Sequence, residues 1–428
     1  MRKHLRLAVS AAALTMMATL AGEAMATEGY FQHAYGLRHK ALAGAGAASA
    51  EDATAISLNP AGLVDVGDQF NMGVSFFMPF RKAAIGNPTV GLASVVPGEH
   101  KSKRSFFMVP TLAYSRQIDA DSAFAFSIFG NGGMNTTYKT RPGPFGSMGK
   151  TGVDLMQMFI SAAYARKFGD NFSMGVAPVF ALQRFKAYGI QNVCNAVSRF
   201  PTQCSDRGYS YSYGAGVRVG LQLKPVERLS FGLSYQTKMW MTKFKKYRGL
   251  FAERGDFDIP ANLQVGVAYQ LTDDLKVMLD YRRIFYSDVK AIANGPNPGG
   301  QGGDSNGPGF HWRDTNTIKV GMEYQASEDL ILRMGYSYMW PQVMHKDAVS
   351  FNILAPGVIR HQITGGATWR INANNDIDFA FMVAPRGKRS GVTPDMGGGT
   401  QSVGIKMHQF EVSLGWTYNF GAGSARAR

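Results

Sequence analysis

Phe410-Glu411-Val412-Ser413-Leu414-Gly415-Trp416-Thr417-Tyr418-Asn419-Phe420 places a large apolar residue at every second position and a small or polar one between. A period of two is the signature of a β-strand with one greasy face. The same alternation recurs in Leu229, Phe231, Leu233, Tyr235, in Leu263, Val265, Val267, Tyr269, and in Leu330, Leu332, Met334, Tyr336, Tyr338. Soluble strands usually run ~5 to 6 residues, and these patterns persist for longer. Strands that cross a membrane need about 9 to 11 residues and carry aromatics at their ends.

Working outward from that last segment, alternation and turn signals from Gln69 onward mark about fourteen such segments. Short polar connections at 119–122, 169–171, 224–228, 272–274, 326–329 and 372–375 alternate with long ones at 82–104, 140–152, 186–208, 245–259, 289–311, 343–358 and 386–404. Short turns on one side and long loops on the other are the habit of an outer-membrane barrel. The fold expected is therefore all-β: a transmembrane antiparallel β-barrel of about 14 strands over residues 67–420, with both chain ends on the periplasmic side. The tail 421–428 runs past Phe420, the aromatic on which such barrels often end.

The start of the chain reads as an export signal. Arg2, Lys3 and Arg6 precede an apolar run from Leu7 to Leu20, and Ala24-Met25-Ala26 supplies a small-x-small cleavage site. That run is too short and too rich in small residues for a spanning helix, which wants roughly 20 apolar residues. Removal of residues 1–26 takes away three basic residues and Glu23, lowering the formal charge from +15 to +13. A nucleic-acid partner does not suit an exported basic chain, whereas lipopolysaccharide phosphates and outer-membrane lipid do. Lys243, Lys245, Lys246 and Arg248 suit lipid contact or a solvated loop equally.

Between signal and barrel, Gly36 to Gly62 reads GLRHKALAGAGAASAEDATAISLNPAG. Its few large apolar residues (Leu37, Leu42, Ile56, Leu58, and Leu63 just after it) cannot make a core of their own, so residues 27–66 are expected to lodge inside the barrel as a small helical plug. Asn59-Pro60-Ala61 should turn the chain there, since Pro lacks an N–H and Asn takes turn conformations readily.

Gly44-Ala45-Gly46 and Asn59-Pro60-Ala61, followed by barrel-like sequence, resemble the FadL family of outer-membrane transporters for long-chain fatty acids and aromatic hydrocarbons. The resemblance implies a monomeric barrel of fourteen strands, plugged by an N-terminal hatch, that takes up hydrophobic molecules passively. It further implies that the N-terminal end, here Tyr30 and Phe31, lines an internal lipophilic pocket; ordinary packing against the wall is the plainer account. Leu250-Phe251 and Phe351-Asn352-Ile353-Leu354 place apolar groups in outer loops, where water penalises them unless they fold together. They form either a capture groove (Leu250, Phe251, Phe351, Ile353, Leu354) or simple loop packing.

Gly130-Asn131-Gly132-Gly133 interrupts the third strand, where glycines weaken pairing and mark bulges. In the resembling family the third strand kinks inward and opens a lateral gap to the lipid, and the glycines fall at the matching strand. Valines at Gly132 and Gly133 are expected to straighten and seal it. Cys194 and Cys204, the two cysteines, share one long outer loop of an exported chain and should be disulfide-bonded.

Other motifs point nowhere. Gly303-Asp304-Ser305-Asn306-Gly307 fits a nucleophile elbow in spacing but sits in a Gly/Pro/Asn-rich loop. Gly44 to Ser49 lacks the strand and third glycine of a dinucleotide site. The eight histidines are scattered without metal-ligand spacing. No catalytic residue, metal or cofactor is expected. The competing readings are a barrel hydrolase, which needs a serine or histidine cluster in the wall, and a polar porin or adhesin, which needs no plug.

Overall fold

The computed structural model describes residues 28–296, 299–394 and 396–420. The expected signal at 1–26 and the tail 421–428 lie outside the described residues. Fourteen strands, each antiparallel to its neighbours, follow one another in chain order: β1 (Gln69–Pro88), β2 (Phe107–Gln117), β3 (Ser122–Tyr138), β4 (Thr151–Lys167), β5 (Phe172–Tyr188), β6 (Ser210–Val226) and β7 (Leu229–Gln236). The second half is β8 (Asn262–Gln270), β9 (Leu275–Ile284), β10 (Thr315–Gln325), β11 (Leu330–Trp340), β12 (His361–Arg370), β13 (Asn375–Pro394) and β14 (Thr400–Asn419). β14 returns to pair with β1 from Gln69↔Asn419 to Ile85↔Val403, so the sheet closes on itself. Closure removes the edges that an open sheet would leave unpaired in lipid.

The period of two has a specific outcome here. Met72, Leu279, Phe379 and Leu414 point outward and are exposed, while Ser75, Asp280, Asp378 and Ser413 on the same strands point inward and are buried. This is the reverse of a soluble protein: the wall is greasy outside and polar inside. At the end of the short turns an aromatic girdle is made by Phe70, Trp416, Tyr418 and Phe420, with successive ring centroids 6.1, 5.9 and 4.9 Å apart. No helix among the described residues is long and apolar enough to cross a membrane.

The short turns fall where the sequence places them, and their side chains explain why. Asn372 accepts hydrogen bonds from the amides of Asn374 and Asn375, and Asp119 from those of Asp121 and Ser122. The connections expected at 245–259, 289–311 and 343–358 widen to 237–261, 285–314 and 341–360, whereas those at 82–104 and 386–404 are cut back by longer strands. β1 runs on to Pro88, β13 to Pro394, and β14 begins at Thr400, because ladder pairing continues beyond the greasy band once outward residues become charged.

Candidate functional site

Inside the barrel, residues 28–64 form the plug: a short helix at Leu37–Ala41 and two 3-10 turns at Ala53–Ser57 and Pro60–Asp65. All of Leu37 to Ala48 is buried. A lumen lined with polar groups has to be neutralised by whatever fills it. Arg38 donates to Asp378 (3.0 Å) and Asp376 (2.8 Å) of β13; Lys40 donates to Ser75 of β1 (2.8 Å) and pairs with Glu411 of β14. Asp280 of β9 accepts from the Ala47 amide at 2.8 Å. The wall answers with glycines where the plug backbone comes closest: a Cβ on Gly220 would overlap the Asn59 side chain, one on Gly232 the Ala47 carbonyl, and one on Gly335 the Leu42–Ala43 peptide.

Asn59 is the hinge of this arrangement. Its Oδ1 accepts from the Ala61 amide (3.1 Å), capping the turn that Pro60 opens, and its Nδ2 donates to the carbonyls of Ala47 (2.6 Å) and of Leu221 on β6 (3.0 Å). One side chain thus joins two plug segments to the wall.

Above the plug the N-terminal end enters an aromatic cluster. Tyr30 stacks on Phe31 with centroids 5.3 Å apart and meets Tyr286 at 5.4 Å, Trp312 at 5.9 Å and Phe257 at 6.1 Å. Tyr286 fixes the segment, accepting from the Tyr30 amide (3.1 Å) and donating to the Glu28 carbonyl (2.5 Å). The Glu28 carboxylate is fully buried between Arg282 (3.0 Å) and Lys319 (2.5 Å).

Further out, Phe257 touches Phe251 at 4.7 Å, which in turn meets Phe185 at 4.7 Å. Here an apolar cavity of about 60 Å³ is bounded by Leu250, Phe251, Phe310, Phe351, Leu354 and the Cys194–Cys204 disulfide. Four of the five loop residues singled out by sequence therefore converge on one cavity. Ile353 does not: it is fully buried beside it, and its carbonyl accepts from the Tyr138 hydroxyl at 2.6 Å. Asp256, next to Phe257, is pushed up to about 6 by burial and by the carboxylates of Asp258 and Glu253, so this one carboxyl sheds its charge in mildly acidic medium. Replacing both cysteines by serine should weaken the lid over this cavity by about 2–3 kcal/mol. The check is protease cleavage within 190–205: cleavage as slow as in the parent would mean that the disulfide does not hold the lid.

At the inner end lies the interrupted strand. β3 pairs with β2 from Gln117↔Ala123 to Thr111↔Phe129 and then parts from it; the next position on β2 is Pro110, which has no N–H to offer. Asn131 bulges against β4, where the register slips between Gly130 and Gly132. The ladder groups that β2 leaves are taken by the plug: Gly133 donates to the Tyr30 carbonyl (3.0 Å), and Gln32 donates to the carbonyls of Asn131 (3.1 Å, backbone) and Gly130 (2.6 Å, side chain). Beyond the gap the edges rejoin, with Lys103 donating to Thr137 at 2.8 Å. Arg81 spans the gap, its guanidinium bonded to the carbonyls of Asn135 on one edge and Arg104 on the other. A Cβ at Gly132 would overlap the Tyr30 carbonyl, so a valine there meets the plug as well as the bend.

The cluster missed by sequence reasoning is Phe257, Tyr286 and Trp312. Phe257 comes from the loop between β7 and β8, and Tyr286 and Trp312 from opposite ends of the loop between β9 and β10, so no short motif marks them. The elbow-like Gly303–Gly307 is an ordinary loop turn, with Asp304 paired to Arg199 at 2.7 Å and Ser305 accepting from Lys290 at 2.8 Å.

A closed barrel, greasy outside and charged inside, filled by its own N-terminal segment beneath an aromatic cluster, defines a plugged β-barrel of the outer membrane. Residues 12–420 match the family described as outer membrane protein transport protein (OMPP1/FadL/TodX), and the chain belongs to it. It is a transport protein and not an enzyme. Outer membrane protein P1 of Haemophilus influenzae is 22% identical over 331 residues, covering 70% of this chain and 68% of that protein. Similar folds are the Pseudomonas putida toluene transporter TodX (TM-score 0.66, 18% identity, 91% of this chain and 99% of that one) and a Pseudomonas aeruginosa FadL homologue (0.69, 17%, 92% and 100%).

Proposed function

We propose that the protein admits hydrophobic molecules of the fatty acid or aromatic hydrocarbon class passively, through the outer cavity, the aromatic cluster and the gap between β2 and β3. The observation that carries this reading is the continuity of the aromatic path. Phe251, Phe257, Tyr30 and Phe31 succeed one another at 4.7, 6.1 and 5.3 Å, and Phe31 bridges to Gly132 at the gap. Each step keeps an apolar solute out of water, a driving force of about 25 cal/mol per Å² of apolar surface. The names of similar proteins, toluene transporters and a FadL homologue, support the substrate class.

In this reading Tyr30–Gln32 occupies the gap at rest, and a solute lodged against Tyr30 and Phe31 displaces that segment, leaving sideways into the bilayer core without crossing water. The protein works as a monomer, since each barrel holds a whole path. Uptake into proteoliposomes should be fast for a fatty acid or an aromatic hydrocarbon, absent for a sugar, and at least tenfold slower for Phe257→Ala. Sugar entry at a comparable rate would replace this reading by a polar porin.

A further inference from the structure

Outside the barrel, four lysines stand in one row. Lys101, on a short strand Gly98–Lys101 that folds back onto β1, is opposite Lys82, Lys82 is opposite Lys406, and Lys406 is opposite Lys388. Residues directly opposite across antiparallel strands share a face with their Cβ atoms ~5 Å apart, and like charges so placed destabilise the sheet. Among the described residues Glu99 is the single acid that meets the row, pairing with Lys82 and, at 3.4 Å, with Lys101. Among the described residues Lys406 and Lys388 have no acidic partner, although both are exposed. A sheet does not gain by lining up four cations against one carboxylate unless something anionic completes the row.

The height of the row says what that is. On β1 the outward residues are Phe70, Met72, Val74, Phe76, Met78 and Phe80, and the next one is Lys82. Ten residues of strand rise about 34 Å, which at the usual barrel tilt is about 25 Å along the membrane normal, the height of the greasy band. Phe80 stacks on His408 at 5.1 Å at its upper edge. The lysines therefore begin where acyl chains end, on the side of the long loops. A groove of about 270 Å³ runs along three of the four lysines, with Arg386, Lys406 and His408 on one side and Lys82 and Lys101 on the other, and Lys388 flanks it opposite Lys406.

We propose that this groove binds the phosphates of an outer-leaflet glycolipid, the bis-phosphorylated lipid A of lipopolysaccharide. The row spans four adjacent strands, about 14 Å, long enough to meet more than one phosphate, while Phe80 and Phe410 below it offer a surface for the acyl chains. The site is distinct from Lys243, Lys245, Lys246 and Arg248, which sit on an outer loop; there Lys243 donates to the Glu253 carbonyl and Arg248 lies over Phe200 at 4.2 Å.

Native mass spectrometry of the purified full-length protein, titrated in detergent with bis-phosphorylated lipid A, tests this. Lys82→Gln/Lys388→Gln/Lys406→Gln should bind lipid A at least tenfold more weakly than the parent, and Lys243→Gln/Lys245→Gln equally well. Dephosphorylated lipid A should bind neither. Because Lys388 and Lys406 are exposed and Lys82 is half-exposed on the outer face, folding is not at stake; without lipid the triple variant should melt higher than the parent, and with lipid A the order should reverse. Equal binding of lipid A by parent and triple variant would overturn the site. Equal binding of phosphatidylglycerol, or competition by millimolar inorganic phosphate, would overturn lipid A as its occupant.

Discussion

Gly132→Val should abolish uptake of the hydrophobic solute while leaving a folded barrel. The valine Cβ would fall on the Tyr30 carbonyl, which is backbone and cannot swing aside as a side-chain tip can. The Phe31–Gly132 bridge and the Gly133 to Tyr30 hydrogen bond are then lost together. Tyr30 and Phe31 lose the position that makes them walls of the aromatic cluster, so the path is interrupted at its middle, before a solute reaches the gap. Gly73→Ala is the control, because the new methyl overlaps only the flexible end of Leu37 and makes ordinary contact with the Leu414 carbonyl. Uptake at the parental rate by a Gly132→Val protein that keeps its heat-modifiable migration would exclude the path through β3.

Glu28→Ala should undock the plug's N-terminal end. The change strands Arg282 and Lys319, both buried, without their shared carboxylate. Removing one partner of a buried ion pair costs about 3–5 kcal/mol, and at 1.4 kcal/mol per decade the undocked form gains about a hundred- to several thousand-fold in population. Arg38 and Lys40 are 7% and 3% exposed, so trypsin should spare them in the parent and cut there in the variant. Protection equal to the parent would mean that Glu28 is not an anchor.

Much of the fold was legible because a barrel wall obeys one rule. Alternation in β7, β8, β11 and β14 and the turn residues between strands marked the wall, and charge beyond the greasy band was the one thing that hid where β1, β13 and β14 end. The site was legible in part. Loop residues such as Phe251 and Leu354 stood out because apolar groups in polar loops demand a partner. Phe257, Tyr286 and Trp312 did not, since Tyr30 and Tyr286 are 256 positions apart and local pattern says nothing of such a meeting. Glycines such as Gly232 read only as the small face of a strand; that they trace the outline of the plug required seeing what lies against them. The four lysines were invisible for the same reason, being opposite in register but scattered in sequence.

The plug's anchors also bear on how the molecule is made. Arg38 and Lys40 lie near the beginning of the chain, yet their acidic partners Asp376, Asp378 and Glu411 belong to the last two strands, the same strands that close the ring on β1. An N-terminal segment synthesised first thus has to wait for the C-terminal hairpin, with Lys40 lacking its acid and Arg38 left only the more distant Asp52 of its own segment at 3.8 Å. Seating the plug and sealing the ring become one event, so a barrel stalled short of its final hairpin lacks the acids that hold its stopper. The first residues out act as a check on the completeness of the last.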